Sequence, residues 1–368
     1  MNLTRMFCVF YLLGLGLQIN AAPTLKMHVF DEVTAAKNNA KPQDKDELQK
    51  LELTTHIFIL NSNEADIPEN AKTSQPPTKT FPLRYERAEI YFKTGFREDE
   101  LFWNKAGLGG QPNILSELSW DKLFILTANI GTTLYFGEHW LGNVDLLFGQ
   151  IKSGDNQDSD YRGDNRTEEF SRSNNSTDDG DVLDISAHAG YRWYWPESKS
   201  NSWQSELRSL FGVSYHQQNL IIQDGFQTIP AFGAFEGLDS QYKTTWYGPW
   251  VGLEGRWHES ERFHLKFGMQ YHYAFYDASA TWNLRSDFAQ PESFTHKAEG
   301  YGWIYELEGL YRLTPKLAIN LTLKKQDWRA DRNGEDKINF ANGNTVKLKF
   351  NEVEWESFGA SLGLEYVF

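Results

Sequence analysis

The chain has one cysteine, Cys8, in 368 residues. It sits inside an N-terminal apolar run, so no disulfide and no multi-thiolate metal site is available to the rest of the chain. Beyond that run no segment approaches the roughly 18 consecutive apolar residues that mark a membrane-spanning helix, and mean hydropathy is −0.58. Positive charge is also short: 36 Lys and Arg stand against 50 Asp and Glu, for a net charge of −14. That balance disfavours nucleic acid as a partner, because neutralising phosphates needs a basic face. No phosphate-binding glycine loop, zinc motif or serine nucleophile elbow occurs, and no cofactor is expected. What the chain does hold is 13 Trp, 17 Tyr and 25 Phe, together with 29 Gly. So many rings in so polar a chain point to strands that are apolar on one face only.

The N-terminus reads as a secretory signal peptide, residues 1–21. Arg5 precedes the run from Met6 to Leu17, and Gln18-Ile19-Asn20-Ala21-Ala22-Pro23 supplies small residues for cleavage after Ala21. Cys8 leaves with it, and the loss of Arg5 takes the charge from −14 to −15. Residues 22–82 read as a polar, flexible extension: Lys37 to Lys50 is charged, and Ala71-Lys72-Thr73-Ser74-Gln75-Pro76-Pro77-Thr78-Lys79 has linker composition.

From Leu83 onward the period is two. Leu317, Ile319, Leu321 and Leu323 alternate with Ala318, Asn320, Thr322 and Lys324. Tyr301, Trp303, Tyr305 and Leu307 alternate with Gly302, Glu306 and Glu308. Side chains alternate across a strand, so each strand has a greasy face and a polar face. Ten strands are expected, near 84–97, 113–135, 141–153, 183–195, 204–222, 242–257, 263–280, 299–313, 317–330 and 351–368. Connections near 136–140, 196–203, 258–262 and 314–316 are short. Those near 98–112, 154–182, 223–241, 281–298 and 331–350 are long and polar. This asymmetry is the habit of outer-membrane barrels, with short periplasmic turns and long extracellular loops.

Two further features agree. Trp140, Trp193, Tyr194, Trp195, Trp203, Trp257 and Tyr311 collect beside the short turns, where amphipathic rings favour the membrane–water boundary. The chain closes on Leu362, Leu364, Tyr366 and Phe368, all on one face. That ending resembles the C-terminal strand signal read by the barrel-insertion machinery of Gram-negative bacteria. The expected fold is all-β: an antiparallel up-and-down transmembrane β-barrel of about ten strands over residues 83–368. Several strands exceed the roughly 9–11 residues that cross a bilayer, so the upper barrel should project from the membrane.

Leu115-Ser116-Glu117-Leu118-Ser119-Trp120, Ala128-Asn129-Ile130-Gly131 and Tyr247-Gly248-Pro249-Trp250-Val251-Gly252-Leu253-Glu254-Gly255 resemble strands of the omptin family. Gly309-Leu310-Tyr311-Arg312-Leu313-Thr314-Pro315 resembles its last periplasmic turn. Omptins are ten-stranded outer-membrane barrels that cleave peptides between basic residues. The chain is also similar to an omptin-related group, the Protochlamydia-type outer membrane proteins, regarded as porins. The resemblance implies an acidic pair on one wall, matched by Asp158 and Asp160, with an Asp–His pair facing it. That second pair belongs within Ser279 to Lys297. No Asp-x-His occurs there: Asp287 and His296 stand nine residues apart. His296 is expected to begin the eighth strand, far from Asp158. The family's lipopolysaccharide-contacting pattern falls on Tyr215-His216-Gln217-Gln218-Asn219, which carries neither the acid nor the Arg.

Loop 154–182 holds nine acids, Asp158 and Asp160 among them, against Arg162, Arg166 and Arg172; it reads as a solvated acidic loop whose spacing fits no EF-hand. The sequons Asn165-Arg166-Thr167 and Asn175-Ser176-Thr177 read as incidental. Glu254, Arg256, His264, Lys266, His272, Glu306, Glu308, Arg312 and Lys324 are expected to line the lumen. They would form either a selectivity lining or a salt-bridged filling, and the small strand number favours the filling. The functional expectation is a non-catalytic surface barrel presenting acidic loops, or a narrow pore, with an omptin-like endopeptidase as the alternative. Expected partners are outer-membrane lipids and lipopolysaccharide, the barrel-assembly machinery, and small solutes or surface ligands.

Overall fold

A computed structural model describes residues 85–194, 204–258 and 262–368. The expected signal peptide and extension lie outside the described residues. The described residues form twelve strand segments: β1 Tyr85–Lys105, β2 Ser116–Phe136, β3 Trp140–Gly163, β4 Thr167–Ser176, β5 Gly180–Tyr194, β6 Gln204–Ile229, β7 Gly233–Ala234, β8 Ser240–His258, β9 Phe263–Thr281, β10 Phe294–Arg312, β11 Leu317–Asn339 and β12 Thr345–Val367. Neighbours pair antiparallel all the way round, and β1 closes the ring by pairing with both β2 and β12.

Twelve segments make ten staves. β4 and β5 stack end to end: β3 pairs with β4 through 155–163 and with β5 through 140–150, and β6 pairs with both. The joint between them falls at Gly180, with φ of +120°, where a Cβ would sit 2.1 Å from the Asn219 carbonyl oxygen. Only glycine fits that approach. β7 is a two-residue appendage of β6.

Strand boundaries differ from the expected ones at the loop end. Much of what reads as loop prolongs the strands: β1 runs to Lys105, β3 to Gly163 and β11 to Asn339, while β10 begins at Phe294 and β12 at Thr345. The segment 154–182 is chiefly the β3–β4 hairpin. Polarity misleads here because these strand ends turn charged faces to water. The continuous long strands have 19 to 26 residues, which at ~3.3 Å per residue and a tilt near 45° gives a wall of roughly 45–60 Å. An apolar membrane band is only about 25 Å tall.

The two halves of the wall are built oppositely. Toward the turn end, Phe92, Phe96, Leu126, Phe148, Val213, Val251, Leu321 and Leu364 point outward and are exposed, while Lys93, Arg97, Arg208 and Glu308 point inward and are buried. Toward the loop end the arrangement inverts. Trp103, Trp120, Trp246, Trp328, Trp355, Tyr242, Tyr276 and Phe350 are buried inside. Outside them Arg329 pairs with Glu352, Glu354 and Asp331, and Lys325 with Asp327 and Glu356.

Candidate functional site

The turn-end lumen is a lattice of ion pairs. Lys93 Nζ lies 2.5 Å from Glu308, and Lys266 lies 2.7 Å from Glu306 and 3.2 Å from Glu308. Arg208 bridges Glu206 and Glu254 at 2.5 and 3.2 Å, and Arg256 meets Glu254 at 2.7 Å. Such pairs tolerate burial because each charge has a partner and further hydrogen bonds. Two cavities remain among them. One of about 170 Å³ is bordered by Glu254, Arg256, Lys266, His272, Glu306, Glu308 and Lys324. One of about 240 Å³ nearer the turns is bordered by Arg256, His264, Lys266, Glu308 and Arg312. Each of the nine lumen residues singled out from the sequence therefore faces one or both cavities. His272 Nδ1 accepts from the Ser214 hydroxyl at 3.0 Å, and its Nε2 donates to the Gln270 amide oxygen at 3.1 Å. His264 stacks edge-on against His258, ring centroids 4.2 Å apart.

An aromatic layer lies on the loop side of the larger ion-pair lattice. Trp246, Trp328 and Trp355 form a triangle with centroid separations of 5.7, 5.5 and 6.3 Å. His216 and His272 meet Trp328 from the polar side at 4.9 and 4.8 Å. A second tier follows: Trp120 stacks on Tyr242 at 5.1 Å, Tyr276 on Phe350 at 6.1 Å, and Trp103 meets Tyr242 at 5.9 Å. These rings are buried between the strands of the loop-end half.

Above them sits the acid–base cluster. His296 and Asp336 are cross-strand partners of β10 and β11, with Nε2 3.3 Å from the carboxylate. Tyr242 Oη lies 2.8 Å from His296 Nδ1 and 2.7 Å from Tyr276 Oη. Phe350 stacks on the imidazole at 4.1 Å, and Trp103 closes its edge at 4.7 Å. Lys105 donates to Asp336 at 2.9 Å. Burial pushes the imidazole pKa down. For Asp336 burial works the other way, but His296 and Lys105 outweigh it and hold the carboxyl below its usual range. A His–Asp pair thus exists, but its Asp comes from β11 and not from the 279–297 segment that holds His296. His296 does lie in the eighth stave, as expected. Its Nδ1 faces Tyr242 and its Nε2 faces Asp336, Phe350 covers one face, and the side chain is buried.

Asp158 and Asp160 face inward on β3, opposite Ser173 and Ser171 of β4. Burial, then the neighbouring Asp160, pushes the Asp158 carboxyl up to about 8; burial raises Asp160 too. Lys105 and Arg285 are the cations that act on both. Lys105, not a histidine, thus links this pair to Asp336. Among the described residues no three His, Cys, Asp or Glu side chains converge as metal ligands. Leu362, Leu364, Tyr366 and Phe368 stand together on the outward apolar face.

A model of the family described as Protochlamydia outer membrane protein matches residues 91–368. Comparison with curated proteins gave no match. Among solved structures, the outer membrane protease OmpT from Escherichia coli is similar over 78% of this chain and 99% of that one, with a TM-score of 0.62 and 13% identity. The translocator domain of the autotransporter NalP from Neisseria meningitidis overlaps 92% of this chain and 98% of that one, with a TM-score of 0.33 and 14% identity. The first likeness is one of fold.

Proposed function

The chain belongs to the Protochlamydia outer membrane protein family, and from that premise we propose that it is a non-catalytic, closed barrel that presents its outer half at the cell surface. It is an integral outer-membrane β-barrel. One observation carries the non-conducting, non-catalytic reading: two tiers of buried rings occupy the lumen, from Trp246, Trp328 and Trp355 to Tyr242 and Phe350. A solute path would have to displace them, and a protease of the omptin kind would need His296 free to take a proton from water.

The supporting chemistry is the same on both counts. Fully buried indoles pack a core and do not line an aqueous channel. The surface offered to a partner is then the outer wall and rim, where Phe232 is 81% exposed and Leu108 76%. Of the acidic groups expected in loops, Asp155, Glu168, Glu169 and Asp181 sit on strand walls. There they would meet lipopolysaccharide, while the band meets lipid and the Leu362–Phe368 face meets the assembly machinery.

Planar-bilayer recordings of the purified barrel test the closure: no steady conductance is expected. Incubation with dibasic peptides tests the chemistry: no cleavage is expected. Cleavage that Asp158→Asn abolishes would replace this reading with the endopeptidase; stable single-channel steps would replace it with the narrow pore.

A further inference from the structure

Four polar side chains that line the cavity of about 170 Å³ keep bonding capacity that the ion-pair lattice does not use. Gln326 is 1% exposed, and its Oε1 accepts no hydrogen bond among the described residues. His216 is 3% exposed; its Nδ1 lies 3.1 Å from Asp184, and its Nε2 has no hydrogen-bond partner among the described residues. Arg97 is buried as well. It meets Asp99 through Nε and Asp184 through Nη1, each at 2.8 Å, and its Nη2 is left over. Lys324 forms no ion pair with any described residue. The backbone gathers these groups. Lys324 of β11 and Arg97 of β1 are both register partners of Gly359 on β12, so only a hydrogen stands between them on the lumen face. Gln326, two residues along β11, shares the face of Lys324 and is the register partner of Ser357. Asp184 ties Arg97 to His216 across the lumen. Trp328 meets His216 at 4.9 Å and stands on the loop side of the pocket. On the other side the cavity of about 240 Å³ shares Arg208, Arg256, Lys266, Glu308 and Glu365 with this one and leads toward the turn end.

We propose that this pocket binds a small zwitterion of the amino-acid class, entering from the turn end. Charge sets the first requirement. Six cationic and six carboxylate side chains line the cavity, so with neutral histidines its formal charge is zero. Around the four free groups the balance also closes, Arg97 and Lys324 against Asp99 and Asp184. A lone anion or a lone cation leaves one charge uncompensated in a site largely withdrawn from water, which is costly. A zwitterion adds none. Hydrogen-bond inventory sets the second requirement. Lys324 and Arg97 Nη2 offer donors, which suit a carboxylate. Gln326 Oε1 is an acceptor, and so is Nε2 of a neutral imidazole whose Nδ1–H faces Asp184; both suit an ammonium. Size sets the third. A cavity of about 150 Å³ admits a benzene-sized guest, so this one takes six heavy atoms, as in alanine. The inference rests on the closed-barrel reading only for its floor, the Trp246–Trp328–Trp355 layer.

Calorimetric titration of the purified full-length barrel in detergent at pH 7 tests this, with L-alanine, propionate and ethylamine as probes. Alanine should bind saturably at one site. Propionate lacks the ammonium and ethylamine the carboxylate, so each should bind at least about tenfold more weakly, as expected when one charge-assisted contact is lost. Lys324→Met removes a donor that no ion pair of the lattice uses. It should weaken alanine by about tenfold or more and leave ethylamine no weaker, a split that general damage to the barrel does not produce. Ser361→Leu, which fills the cavity from β12, should abolish alanine binding and serves if Lys324→Met fails to fold. Lys325→Met, outward on the same strand, should change nothing. The proposal is overturned if the folded wild type shows no saturable alanine binding, if propionate or ethylamine binds as tightly as alanine, or if alanine binding survives both Lys324→Met and Ser361→Leu. Planar-bilayer conductance reports on the tryptophan floor alone, so failure of closure and failure of the pocket are read separately.

Discussion

Along β12 the outward positions read Glu352, Glu354 and Glu356, then Phe358, Ala360, Leu362 and Leu364; the inward ones read Val353 and Trp355, then Ser357, Gly359, Ser361, Gly363 and Glu365. β11 does the same in the other direction: outward Leu321 and Leu323 give way to Lys325, Asp327 and Arg329, and inward Asn320 and Thr322 to Trp328 and Ala330. The parity of the strand does not change; the solvent does. The loop-end half is folded as a water-soluble protein folds, with rings inside and charge outside. The turn-end half is the reverse, because lipid surrounds it. One continuous hydrogen-bonded wall serves two solvents, and its stability comes from a different source in each half.

Substitutions that pit the halves against each other should sort by size. Trp355→Ala opens a hole in the outer core and should cost about 3–5 kcal/mol, read by urea-induced unfolding of the barrel in lipid vesicles. Glu308→Ala strips the partner of Lys93 and one partner of Lys266, and losses of that kind cost about 3–5 kcal/mol in a dry site. A markedly smaller loss would show that lumen water reaches these ammonium groups. Leu362→Arg puts a charge on a residue 57% exposed to lipid and should cost about 2–4 kcal/mol near mid-depth. The same change at Glu356, outward on the same strand but above the band, should be nearly silent. If both are silent, the boundary between the halves is misplaced.

Asp158→Asn should change the pH profile more than the stability itself. Its carboxyl titrates near 8 in the folded state and near 4 when unfolded, so the folded protein binds the extra proton between those values. Wild-type stability should therefore fall as pH rises from about 4 to 8, and the variant should lose that slope in thermal unfolding at stepped pH. Smallest of all is Arg329→Gln. Its pairs with Glu352 and Glu354 are partly exposed, and exposed pairs contribute roughly 0–1 kcal/mol.

The barrel itself was legible because alternation, short turns and the Leu362–Phe368 face all carry the lipid-side signal. The outer strands were not, because segments such as 331–339 and 345–349 are polar on the side that meets water and so read as loop. The His296–Asp336 pair shows a second limit. Counting back from Arg312 opposite Ala318 places Gly334 beside His296. Register shifts between Lys297 and Gly300 move the partner by two, to Asp336. Bulges leave no reliable mark in one sequence, and they decide which side chains meet. On β3 the register against β2 also shifts, between Asp121 and Ile125, just before the inward-facing Asp158 and Asp160.

The outward change from Phe358 to Glu356 also fixes how deep the molecule floats. From Phe358 to Val367 the strand carries no outward charge, its one charged residue, Glu365, being buried on the inward face; that is about 23 Å of vertical height at a 45° tilt. Lys325, Asp327, Arg329 and Glu356 form a waterline above it. Sinking the barrel would drag that line into hydrocarbon, and raising it would bare Phe358 and Leu362. A thicker bilayer must therefore thin around the protein, which will partition toward membranes whose hydrocarbon matches its band.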